Sequence, residues 1–160
     1  MSVNVEKFSL EPTQFKAKVE ELPDEFHFLN ENEIPVFKIS NIPNDAKSLA
    51  IILIDKDAPG DEMIYWILYN LPINIDQIDP VTVLLGDLGN NSVFERKYYG
   101  PNPVEGKHRY IFTLFALKVE KLTPSLDIKA SDLVNLIKSN MIEKDEVETY
   151  VEIKGSYAFA

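Results

Sequence analysis

The chain contains no cysteine. That excludes disulfides, thiol catalysis and thiolate metal sites. Histidine is nearly absent as well: only His27 and His108 occur. Basic residues are outnumbered, 16 Lys and Arg against 26 Asp and Glu, for a net charge of -10. A protein that grips phosphate backbones needs a basic face, and none is visible. Nucleic acid is therefore discounted and, more weakly, anionic membrane surfaces. The acid excess reads as a solvated surface. Long hydrophobic runs are missing too. The longest apolar stretch, Leu49 to Ile54, is far too short to span a bilayer. The start, Met1 to Lys7, has no apolar run behind a basic segment, so no signal peptide is expected and a cytoplasmic location is the default.

What is present fits one globular domain over residues 1–160, with 45% hydrophobic residues, nine Phe and seven Tyr to fill a core. Val3-Asn4-Val5 suggests a short first strand. Pro12, Pro23 and Pro35 divide the first forty residues into loops and extended pieces. Val36 to Ile39 alternates weakly and is followed by a turn at Asn41 to Asp45. Three continuous apolar runs bounded by turn signals predict buried strands: Leu49–Ile54, Tyr65–Leu71 and Arg109–Val119. One helix is predicted, N-capped by Ser131 and presenting Leu133, Leu136, Ile137 and Met141 on one face. From Glu148 to Lys154 the period changes to two, which predicts a strand with one wet face. Many strands and one helix point to an antiparallel β fold, a sandwich rather than a βαβ design.

Three segments could carry chemistry. Asp55-Lys56-Asp57-Ala58-Pro59-Gly60 places two carboxylates at the end of a buried strand. They can hold a cation, accept hydrogen bonds, or cap a turn. Tyr65-Trp66 opens the next strand, where the single tryptophan reads as core or pocket wall. Tyr99 to Tyr110 is a Pro- and Gly-rich loop that runs into a long strand, with His108 near the junction. Stiff loops of this kind hold side chains and amides around a cavity, although a histidine there can equally be structural. No Gly-x-Ser-x-Gly, His-Glu-x-x-His, Gly-x-x-x-x-Gly-Lys or Gly-x-Gly-x-x-Gly motif occurs, so neither a catalytic apparatus nor a cofactor or metal is expected.

Taken together, the segments resemble the signature of the phosphatidylethanolamine-binding proteins, also called Raf kinase inhibitor-like proteins, in their short bacterial and archaeal branch. The resemblance rests on Asp55-Lys56-Asp57-Ala58-Pro59, on Tyr65-Trp66 through Asn70-Leu71-Pro72, on Gly100-Pro101-Asn102-Pro103-Val104-Glu105-Gly106-Lys107-His108-Arg109-Tyr110, and on Gly155-Ser156-Tyr157. Four positions depart from the family pattern. Lys56 stands for a proline, Tyr65 for a histidine, Asn102 for a cysteine and Val104 for a proline.

The resemblance implies an antiparallel β-sandwich with Greek-key connections and one or two short C-terminal helices. It also implies a pocket for a small anion at one end of the sandwich, lined by Asp55, Asp57, Ala58, Tyr65, Trp66, Gly100, Pro101, His108 and Tyr110. Because the sequence stops soon after Tyr157, the C-terminal helix of larger members is missing and a more open site is expected. By the same resemblance the protein is expected to be a non-catalytic binding protein that inhibits a serine protease or a kinase, with a homodimer as one possible assembly. A carrier for a phosphorylated or carboxylated metabolite is the alternative. An enzyme acting on phosphate or ester groups ranks last.

Overall fold

A strand that is apolar on both faces needs a cover on both sides, and the chain supplies two different covers. The computed structural model describes residues 6–60 and 62–153. Val3-Asn4-Val5 and Gly155-Ser156-Tyr157 lie outside the described residues. In chain order the elements are β1 (Ser9–Pro12), β2 (Phe37–Ser40), β3 (Ser48–Asp55), β4 (Met63–Leu71), β5 (Gln77–Ile78), β6 (Asp87–Leu88), β7 (Gly106–Leu117), α1 (Ala130–Ser139) and β8 (Met141–Ile153).

Strands β1-β2-β5 form a small sheet and β6-β4-β3-β7-β8 a larger one, all pairings antiparallel. In the larger sheet β3, β4 and β6 lie side by side, and β7 returns to pair with β3. That is the Greek-key order. The three predicted apolar strands are therefore neighbours, with β3 in the middle.

Period-two alternation divides each strand between two covers. Leu49, Ile51 and Leu53 of β3, with Phe112 and Leu114 of β7, pack toward the small sheet with Leu10, Phe37, Ile39 and Ile78. Ala50 and Ile52 of β3, with Phe115 and Leu117 of β7, pack under Leu133, Val134 and Ile137 of α1. Small sheet, large sheet and helix thus form three layers.

Two bulges break the β3–β4 register, one between Leu49 and Ile51 and one between Leu53 and Ile54. The second leaves Tyr65 as an extra residue, so Tyr65 and Trp66 both enter the core on the small-sheet side while Ile64 and Ile67 face the helix. At the first, Asn70 adopts φ 57° and its amide bonds both backbone groups of Leu122, N–H at 2.8 Å and C=O at 2.9 Å.

The helix differs from expectation at both ends. Its N-cap is Lys129, in extended conformation and without a side-chain bond; Ser131 lies inside the first turn and is exposed. Burial of Ala130 against the helix-side core starts the helix earlier. At the other end Asn140 terminates it through its side chain to the Leu136 carbonyl (2.9 Å). Met141 is consequently the first residue of β8, paired with Leu117, and not part of the helical face. Strand β8 is also longer than its alternation suggests. Pairing with β7 holds the charged stretch Glu143 to Glu146 extended.

Candidate functional site

The same alternation that builds the core places the site. On β3 the inward parity of Leu49, Ile51 and Leu53 continues to Asp55. On β7 the inward parity of Phe112 continues back to Tyr110 and His108. Asp55 is the register partner of Tyr110. The last position of β3 and the first residues of β7 therefore bring a carboxylate, a phenol and an imidazole to one end of the inter-sheet core. The Tyr65 bulge adds a second phenol.

Asp55 is 1% exposed, so its charge has to be met by protein donors. His108 Nδ1 lies 2.6 Å from Asp55 Oδ2, and the Asp57 N–H donates to Asp55 Oδ1 at 2.8 Å. A carboxylate only accepts, so the ring proton of this pair sits on Nδ1 and Nε2 is left for other partners. The His108 side chain retains 14% exposure, so that ring reaches the surface.

Asp57 does not share this duty. Its carboxylate takes the backbone N–H of Arg109 (2.8 Å) and two guanidinium bonds from the same residue (3.0 and 2.9 Å). The Arg109 side-chain hydrogen bonds, with help from its backbone bond, hold the Asp57 carboxyl at about 2. Arg109 has the opposite parity to His108 and Tyr110 and is exposed. Asp57 thus clips the turn after β3 to β7 beside the site, outside the inward-facing cluster.

Aromatic rings form a row into the site. Phe28 stacks on Tyr99 at 3.9 Å between centroids, Tyr99 on Tyr65 at 5.5 Å, and Tyr65 lies 5.8 Å from Tyr110, which faces His108 at 6.4 Å. Burial, and then the Asp55 charge, pushes the Tyr65 phenol up to about 12. Burial also raises Tyr110, with Tyr65 and Asp55 adding to it. Both hydroxyls are therefore protonated donors at neutral pH. The Tyr110 hydroxyl and the Trp66 indole N–H are buried without a hydrogen-bond partner. Each such orphan costs about 1–3 kcal/mol.

The remaining expected residues act around this centre. Trp66 is fully buried, edge-on to Tyr98 at 5.3 Å, and belongs to the core. Gly100 and Pro101 tie the loop after Tyr99 to the segment that carries Phe28. Gly100 N–H donates to Asn32 Oδ1 (2.7 Å), and the Pro101 carbonyl accepts from Phe28 N–H (3.2 Å). A Cβ on Gly100 would sit 2.2 Å from the Phe26 carbonyl oxygen, so only glycine allows this approach. Ala58 is half-buried in the turn after Asp57 and brings no polar side-chain group.

Sequence reasoning missed Phe28, Tyr99, Arg109 and Asn91 as site-shaping residues. Asn91 is buried; its amide donates to the Tyr65 and Lys97 carbonyls (3.3 Å each) and accepts from Val93 and Glu95 N–H groups. It pins the loop that carries Tyr99. The pair Asn90-Asn91 was the available turn signal. Nothing in the sequence linked Phe28 to Tyr99, 71 positions away. Two surface clefts lie elsewhere, one beside Asn70, Pro72 and Leu85 and another beside Tyr69, Arg96 and Leu126. Among the described residues no group of three or more His, Asp or Glu could hold a metal ion, and no helix is long and apolar enough to cross a membrane.

This arrangement is found on a shared fold. The chain superposes on a crystal structure of Escherichia coli YbcL, described as a member of the mammalian PEBP family, with TM-score 0.84, 24% identity, and coverage of 92% of this chain and 99% of that one. A putative phosphatidylethanolamine-binding protein homologue from Chlamydia trachomatis gives TM-score 0.81 and 26% identity, covering 92% and 98%. In sequence, a UPF0098 protein of Chlamydia pneumoniae is 32% identical over 118 residues, 71% of this chain and 78% of that protein. The phosphatidylethanolamine-binding protein signature itself matches residues 12–152, from β1 to the end of β8. The strands that carry Asp55, Tyr65 and His108 all fall inside that span, and the chain belongs to the phosphatidylethanolamine-binding protein family.

Proposed function

We propose that this protein is a non-catalytic binding protein, that it holds a small anionic group at His108, and that its regulatory output is inhibition of a serine protease. The observation that carries the ligand site is the buried Asp55–His108 pair. Asp55 fixes the ring through Nδ1, which directs Nε2 away from the carboxylate on a side chain that keeps 14% exposure. When the ring is charged, Nε2–H is a cationic donor; the protonated phenol of Tyr110 belongs to a ring 6.4 Å from the imidazole, and that of Tyr65 to the next ring of the row, 5.8 Å from Tyr110. An acceptor-only group with negative charge matches that set.

The same hydrogen bonds support the non-catalytic reading. An Asp–His pair that activates a side-chain nucleophile holds that hydroxyl or thiol on the second ring nitrogen. Among the described residues the His108 ring bonds Asp55 alone. Protease inhibition is carried over from the family resemblance, as an analogy.

Titration of the labelled protein with phosphate and acetate, followed by nuclear magnetic resonance, tests the site. Shifts should centre on His108, Tyr65 and Tyr110, and His108→Ala should remove them while the fold persists. Shifts elsewhere, or unchanged affinity in the variant, overturn the site. A panel of chymotrypsin-like and subtilisin-like proteases tests the output. Inhibition of none at micromolar protein, with anion binding intact, replaces the inhibitor by a small-molecule carrier.

A further inference from the structure

The groups around His108 also say which kind of anion the site takes, and this step rests on the site proposed above. Two cations belong to the cluster itself, His108 and Arg109, and both are already matched; a third, Lys97, lies over the outer ring Phe28 at 5.6 Å and pairs with Glu95 at 2.9 Å. His108 faces the buried Asp55 carboxylate at 2.6 Å. Arg109 is spent on Asp57 through two guanidinium bonds of 2.9 and 3.0 Å. With the imidazole charged, the Asp55–His108 pair sums to zero; with it neutral, the pair is negative.

The remaining polar groups are phenols. Tyr65 is 5% exposed and Tyr110 is fully buried, and the Tyr110 hydroxyl has no partner. A neutral hydroxyl offers one hydrogen bond and no net charge. A dianion brought here loses its hydration and meets no uncompensated cation, which is costly in a poorly solvated site. A monoanion adds one uncompensated charge where a dianion adds two, and hydrogen bonds from His108, Tyr65 and Tyr110 offset one more readily than two.

The surroundings are apolar and aromatic. Phe28, Tyr99, Tyr65 and Tyr110 run as one row of rings into the site. Phe28 and Tyr99 are only half-buried, and Leu29 beside Phe28 is exposed. An apolar body attached to the anionic group would gain from ring-edge contacts here, where a fully hydrated inorganic ion would not.

We infer that Tyr65 makes this site selective for a carboxylate carried on an apolar or aromatic body, against a phosphate. Tyr65 is then a specificity-determining residue. It supplies a neutral donor and an aromatic wall where a second basic side chain would admit a second negative charge.

The experiment compares benzoate, acetate and phenyl phosphate, a phosphate monoester that is mostly dianionic at pH 7, at that pH and constant ionic strength, by resonance shifts at His108, Tyr65 and Tyr110, in the wild type and in Tyr65→His and Tyr65→Phe. In the wild type benzoate should bind tightest and phenyl phosphate at least about tenfold more weakly, a factor that corresponds to about 1.4 kcal/mol. Tyr65→His places a second imidazole beside Asp55 and should narrow or reverse that ratio. Tyr65→Phe keeps the ring row and the core volume. It should weaken benzoate about three- to tenfold, the range of one lost hydrogen bond.

Phenyl phosphate binding as tight as benzoate in the wild type overturns the inference and leaves the anion site standing. So does an unchanged ratio in Tyr65→His. If that variant does not fold, unchanged benzoate affinity in Tyr65→Phe has the same force. Absence of any shift at these residues with all three probes removes the site itself, and the inference with it.

Discussion

The two faces of the large sheet are built from the same three strands, yet they do different work. The face under α1 is mainly aliphatic: Ala50, Ile52, Ile64 and Ile67 meet Leu133, Val134 and Ile137, with Phe115 buried among them and Tyr69 partly buried at the side. The face toward the small sheet is crowded with rings, including Phe37, Tyr65, Trp66, Tyr98, Tyr110 and Phe112, and at its end the inward parity delivers Asp55. Aliphatic side chains adjust to one another at modest cost. Rings are rigid and fix the position of what they touch. The helix face therefore serves as support, while the ring face holds a carboxylate–imidazole pair in one geometry. Both faces stabilise the fold, and only one defines the site.

The largest effects should come from removing a bulky side chain on either face. Trp66→Ala on the ring face should lower stability by about 3–5 kcal/mol, and Leu133→Ala on the helix face by about 2–5 kcal/mol, in urea unfolding. Their consequences for the site should differ. Trp66→Ala should displace the His108 and Tyr110 resonances, and Leu133→Ala should leave them in place. Equal displacement by the two variants would break the division between supporting and site-forming faces.

Two glycines sharpen the contrast at smaller cost. A Cβ on Gly100 meets the Phe26 carbonyl oxygen at 2.2 Å, backbone that cannot yield without moving the loop after Tyr99. A Cβ on Gly89 meets Leu133 Cδ2, also at 2.2 Å, but that is the tip of a side chain able to rotate. Gly100→Ala should cost about 1–3 kcal/mol and weaken anion binding; Gly89→Ala should cost less and leave binding unchanged. Thermal unfolding with parallel ligand titration reads both, and a greater loss in Gly89→Ala would contradict the assignment.

The smallest effect concerns the clip beside the site. Arg109 holds the Asp57 carboxyl at about 2 in the folded chain, below its ordinary 3.8. A depressed carboxyl stabilises the fold above the unfolded value and loses that contribution as pH falls through the folded one. Wild-type stability should therefore decline between about pH 4 and pH 2 by a small amount that Asp57→Asn lacks, since the partners are largely solvent-accessible. Urea midpoints across that range measure it. A variant whose stability falls as steeply as that of the wild type would show that the clip is not a separate contribution.

Much of the fold was legible. Leu49–Ile54, Tyr65–Leu71 and Arg109–Val119 read as buried strands because continuous apolar character between turns leaves few other choices, and they became the adjacent β3, β4 and β7. The ends of α1 were less legible. Ser131 is a good cap by type, but burial of Ala130 drew the start of the helix back to Lys129. Asp55, Tyr65, His108 and Tyr110 were named from the sequence and do meet. Asp57 was named with them and bonds Arg109 instead, because its place after the strand end frees it from the inward parity.

By itself the sequence determined the local terms: which segments are extended, which are apolar on both faces, which turns are stiff, and which residue types are available for chemistry. These depend on neighbours a few positions away, so composition and period encode them. Tertiary structure decided the partners. The bulge that swings Tyr65 inward, the stacking of Phe28 on Tyr99, the fit of Gly100 against Phe26, and the division of two carboxylates between His108 and Arg109 all join residues remote in the chain. Such contacts are chosen by register and packing across strands, and no local pattern in a single chain carries that information.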